Sequence, residues 1–168
     1  AQAGVCPGLS YAAGLSFTPE LRGGVVSRGE LAAGVHQLSA ILQGYSPGVE
    51  ACAGEPGVFW LDIRGLEPLY PSISHWCAEV HEALQSEGFH AVLAAGFTRF
   101  GCYAAAKAGR EDRLFGSAAE ERRCALGSPL EVLTLAPEAL ERLRLLGVRT
   151  VGAFLALPPR GLRKRSVP

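Results

Sequence analysis

Residues 58–63 (VFWLDI) narrow the fold more than any other stretch. The run is β-prone and nearly all apolar, which suits a strand covered on both faces. Helical segments flank it. Residues 29–43 put Leu31, Val35, Leu38, Ile41 and Leu42 on one helical face, and Gly44 with Ser46-Pro47-Gly48 stops that helix. Residues 73–87 read as a second helix with Ser74 as N-cap. Its buried stripe holds Val80 and Leu84, with Glu79, Glu82 and Glu87 outside and Gly88 as C-cap. Residues 49–55 alternate like a strand, Pro56-Gly57 reads as a turn, and Arg64-Gly65 closes the strand that follows. Residues 89–97 are a further apolar strand candidate, and residues 101–109 are Ala-rich and helical. The order helix, strand, strand, helix, strand, helix predicts an α/β (α+β) sandwich with helices on one face of a mostly antiparallel sheet. Residues 110–128 are polar and charged and read as a linker or an exposed excursion.

The character of the chain then changes. Residues 137–146 form a helix with Pro137 in its first turn, Glu138 and Arg142 spaced to pair, and Leu140, Leu143 and Leu146 spaced to pack. Gly147-Val148-Arg149-Thr150 makes a tight turn, and Thr150 caps a second helix (VGAFLAL). A short third helix would carry Arg160, Arg163, Lys164 and Arg165. Short helices joined by Gly turns with basic residues nearby follow the logic of helix-hairpin-helix modules, which hold DNA phosphates without reading sequence.

Composition sets limits. Apolar residues are 48% and charged residues 19% of the 168, a globular balance with room for one domain or two small ones. Sixteen basic and sixteen acidic residues cancel, so the totals exclude a strongly basic nucleic-acid module. The cancellation hides an asymmetry: residues 129–168 hold seven Lys and Arg against three Glu, and the rest of the chain has the opposite excess. The five cysteines, Cys6, Cys52, Cys77, Cys102 and Cys124, form no CxxC pair, which argues for a reducing cytoplasm and against a disulfide framework or zinc site. No apolar run is long enough to cross a membrane, and no signal peptide is visible. His36, His75, His81 and His90 are scattered and imply no metal site. Trp60 sits within an apolar strand and is expected in the core, whereas Trp76 is expected half-exposed on its helix.

Four segments in order carry a resemblance. Gly4-Val5-Cys6-Pro7-Gly8-Leu9 resembles the GVxxGM turn in the fingers of Y-family translesion DNA polymerases. Residues 55–65 (EPGVFWLDIRG) stand where those proteins have the palm motif SIDExxLDxTG, and residues 96–107 (GFTRFGCYAAAK) where they have GIxxNKxxAK. Residues 146–152 (LGVRTVG) match LGIxTxG of their thumb. The chain is most similar to the ImuB-like group, polymerase relatives that have lost catalysis. The resemblance implies a fingers remnant over 1–26, a palm-like domain over 27–109, and a linker with an all-α helix-hairpin-helix thumb over 110–168.

The departures from the pattern bear on function. Y-family chemistry needs carboxylates that hold two metal ions. The acidic pair aligns with Gly57 and Val58, neither of which can bind a metal, while Asp62 aligns with a later Asp that is not a metal ligand. The triphosphate-binding Lys aligns with Gly101 and its Asn partner with Phe100. The first palm strand would precede residue 1, leaving a strand edge open. A Gly-x-Gly hairpin of active relatives falls at Thr134-Leu135-Ala136, without glycine. The expectation is a protein with no catalytic residues, metal or cofactor, acting as a DNA-docking scaffold in error-prone repair. Arg142, Arg149, Thr150, Arg163, Lys164 and Arg165 are its candidate contacts to primer–template DNA; Arg99 and Lys107 read as ordinary surface charges. By resemblance its partners are the sliding clamp, a RecA-like accessory protein and a separate error-prone polymerase, in the cytoplasm and without a membrane. A protein-interaction module without DNA affinity is the alternative, and an active polymerase is disfavoured.

Overall fold

The structure is a computed structural model that describes residues 9–158. The turn at Cys6-Pro7-Gly8, and Arg160, Arg163, Lys164 and Arg165 with their helix, lie outside the described residues. The chain divides into two compact units between His36 and Gln37.

The first unit contains a helix that the Gly- and Ala-rich composition hides. α1 (Tyr11–Phe17) starts at Ser10, whose hydroxyl accepts from the Ala13 amide at 3.2 Å. Gly14 leaves space for Leu21, which would lie 2.7 Å from a Cβ placed there, and the Tyr11 hydroxyl donates to the Leu21 carbonyl at 3.0 Å. α2 (Arg28–Gln43) opens with a capping box: the Glu30 amide donates to Ser27 Oγ at 3.1 Å and the Ser27 amide to Glu30 Oε2 at 2.8 Å. This helix crosses the division between the units.

Leu38, Ile41 and Leu42 of α2 join the main core of the second unit as their spacing predicts, whereas Leu31, expected on the same face, is 46% exposed in the first. β1 (Gly48–Ala51) and β2 (Phe59–Asp62) pair antiparallel, with Val49 opposite Leu61, Glu50 opposite Trp60 and Ala51 opposite Phe59. The two-residue side-chain period sorts the hairpin. Val49, Phe59 and Leu61 pack on the core, whose buried members are Leu42, Leu66, Trp76, Cys77, Val80 and Leu84. Four of those six come from α3 (Ile73–Ser86). This helix is capped by Ser72 and not Ser74: the His75 amide donates to Ser72 Oγ at 3.1 Å. Gly88, at φ +80°, ends the turn that follows.

Three expectations are corrected. The sheet is not one mostly antiparallel layer: β3 (Ala94–Ala95) is only two residues long and pairs in parallel with β4 (Arg113–Leu114), apart from the β1–β2 hairpin. The 110–128 segment is not a linker, because β4 and α5 (Ala118–Gly127) lie within it. Asp112 anchors its start by accepting from the Leu93 amide at 2.9 Å and meeting the His81 ring nitrogen at 2.8 Å. The tryptophans exchange roles: Trp76 is 3% exposed and donates Nε1–H to the Tyr45 carbonyl at 2.8 Å, while Trp60 is half-buried on the face away from the core. The broad α/β class stands, with helices predominating among the described residues.

α4 (Arg99–Ala108) places Gly101, Ala104 and Ala105 inward, and these small side chains let α5 approach closely. A 3-10 turn (Leu130–Val132), α6 (Pro137–Leu145) and α7 (Val151–Leu155) follow. They enclose a second core of Leu130, Leu143, Val148 and Val151, with Leu140 and Phe154 packed against it. Leu146, expected to pack, is 70% exposed, because it caps α6 one step past the inward stripe.

Candidate functional site

The resemblance directs attention first to the outer face of β1–β2 and to α4. Glu50 and Trp60 are cross-strand partners there, so both project from the same side. The first two turns of α4 bring Arg99 and Tyr103 over them. The Arg99 guanidinium lies 4.5 Å from the Trp60 ring centroid, and the Tyr103 ring is 6.2 Å from it at 40°. Arg99 also bonds Glu50 at 2.7 Å. One turn further on, Lys107 pairs with Glu55, whose other oxygen accepts the Tyr103 hydroxyl at 2.7 Å. The Lys107 ammonium and Tyr103 hydroxyl hold the Glu55 carboxyl below its usual range, and Arg99 does the same for Glu50. The face is thus occupied by its own ion pairs, a cation over an indole and a tilted pair of rings.

The positions that the resemblance aligns with catalytic groups have structural roles of their own. Gly57 has φ +95° in the β1–β2 turn, a conformation that suits glycine. Val58 closes that turn: its carbonyl accepts from the Cys52 amide at 2.9 Å and its amide donates to the Glu55 carbonyl at 3.1 Å. Asp62 ends β2. The Arg64 side chain, then the Arg64 amide, hold its carboxyl down to about 2. Phe100, in the first turn of α4, is 49% exposed. Gly101 faces the carboxylate of Glu121, and a Cβ there would come to 2.5 Å from Glu121 Cδ.

Glu121 is the residue that the sequence reading missed. It projects from α5 and is 2% exposed. It accepts from the Thr98 amide at 3.2 Å, and also from the Phe97 amide and Thr98 hydroxyl. Thr98 is itself the N-cap of α4 and accepts from the Gly101 amide at 3.0 Å. A helix N-terminus favours an anion, and this one is already served by a carboxylate from the same chain. Burial pushes the Glu121 pKa up, but the hydrogen bonds from Thr98 and Phe97 outweigh it and the carboxyl titrates below its usual range. The sequence signal was the Ser117–Glu120 pair of a helix start, with Ser117 Oγ accepting from the Glu120 amide at 3.2 Å. It marks α5, though not the burial of the next residue.

The second region is the α6–α7 hairpin. The Pro129–Thr150 bridge and the Leu130 amide, which donates to the Arg149 carbonyl at 2.9 Å, pin its turn. Gly147 turns the chain at φ +74°, and Thr150 Oγ1 accepts from the Ala153 amide at 3.2 Å. Thr150 is therefore engaged as a helix cap. Arg142 and Arg149 are both exposed, on α6 and in the turn. Among the described residues neither has an ion-pair partner; the expected Glu138–Arg142 pair is not formed, and Arg144 instead meets Glu131 at 3.6 Å. Arg163, Lys164 and Arg165 lie outside the described residues.

Among the described residues no group of three or more His, Cys, Asp or Glu is placed to hold a metal ion. No helix among them is long and apolar enough to cross a membrane. Comparison with protein-family models, curated proteins and solved structures gave no match.

Proposed function

We propose that this chain is a noncatalytic relative of the Y-family polymerases, of the ImuB-like kind, that docks on DNA as a scaffold in error-prone repair in the cytoplasm. The observation that carries the proposal is the pair of exposed guanidinium groups on the helical hairpin, Arg142 and Arg149. Arg99 and Lys107, beside the face where the resemblance puts catalysis, are each neutralised by a glutamate. Arg142 and Arg149, on the helical hairpin, have no ion-pair partner among the described residues. Exposed guanidinium groups at a turn between two helices suit phosphate oxygens, which position a protein on DNA without specifying sequence. The absence of catalysis is supported by the left-handed Gly57 and by Glu121 at the α4 N-terminus, where the resemblance expects a triphosphate.

In this reading the chain works by tethering. Holding the sliding clamp, a RecA-like accessory protein and a separate error-prone polymerase near one primer end raises the effective concentration of the active enzyme there. The test is fluorescence anisotropy of the chain with a primer–template junction across a salt series. Binding should weaken steeply with salt, and Arg142→Ala or Arg149→Ala should each reduce the logarithmic salt slope by about 1. Arg163→Ala with Lys164→Ala should act in the same direction. A folded chain that shows no binding would sink the proposal. It would favour a protein-interaction module, a reading that Thr134-Leu135-Ala136, without glycine, also supports.

A further inference from the structure

We draw no further inference here: the strongest candidate, the edge of β2 left unpaired among the described residues, beside the apolar cleft lined by Ile63, Ile73, Ala95, Phe97, Leu114 and Phe115, carries nothing because nothing in the structure shows what covers it.

Discussion

Glu121 on α5 and Thr98 at the head of α4 are locked together: the Thr98 amide donates to Glu121 Oε2 at 3.2 Å and the Thr98 hydroxyl to Oε1. Two helices whose junction looks like a polar linker in sequence thereby become one packed pair. Glu121→Gln should weaken this lock by about 1–3 kcal/mol, since a charged acceptor of several bonds becomes neutral. At about 2–4 °C per kcal/mol for a chain of this size, the loss is readable as a lower Tm. The pH dependence has a definite sign. The folded pKa of Glu121 is lowered, so its stabilisation is complete above the unfolded value of about 4.3 and is lost as pH falls through the folded one. Thermal melts should show a shallower acid decline for the glutamine variant, and equal melting curves at every pH would refute the lock.

Installing the residues of the polymerase pattern should not confer polymerase activity. Gly57→Asp puts a side chain on a left-handed turn residue, at a cost of about 1–2 kcal/mol. Gly101→Lys drives a Cβ against the Glu121 side chain. The triple variant Gly57→Asp, Val58→Glu and Gly101→Lys should melt lower than wild type and extend no primer in the presence of metal and all four nucleotides. Extension by that variant, or by the wild type, contradicts the noncatalytic reading.

The two tryptophans should separate in fluorescence. Trp76 is 3% exposed with its indole N–H bonded to the Tyr45 carbonyl. A Trp60→Phe chain, which keeps Trp76, should emit at shorter wavelength and resist acrylamide. A Trp76→Phe chain should be quenched more readily and lose about 1–3 kcal/mol for the carbonyl left without its donor. The reverse order of quenching would reject this assignment of core and outer face.

Thiol alkylation followed by mass spectrometry should rank the cysteines. Burial pushes Cys77 up to about 11, with Asp112 adding to it, and burial with Glu121 does the same for Cys102. At pH 8 both should stay almost entirely protonated, and among the four described cysteines Cys52 and Cys124, free and half-buried, should label before them. Labelling of Cys77 in the native chain as fast as Cys52 would count against the α3 packing described above.

Local and periodic features were legible in advance. The spacing of Leu38, Ile41 and Leu42, the stripe of Val80 and Leu84, the Gly88 stop and the Gly147–Thr150 turn all read correctly, because each depends on a few neighbouring residues and the helix period. Ser72 took the cap from Ser74 because two serines one short step apart offer the same chemistry, and only the chain path selects between them. The candidate cations were visible as residue types. The pairing of Arg99 and Lys107 was not, since the glutamates they meet lie about fifty positions away in sequence.

By itself, then, the amino-acid sequence determined several helix stops and turns and the apolar faces of the helices that pack on the main core. The tertiary structure alone decided that Trp76 is buried and Trp60 capped by Arg99, that the 89–97 run yields a two-residue parallel pair with a polar segment, and that Glu121 serves as the anion at the head of α4. The physical reason is the range of the interactions. Caps and periodicity are properties of consecutive residues, whereas the worth of a charge or an indole depends on distant groups that folding brings within a few ångströms, in surroundings of lower dielectric than water.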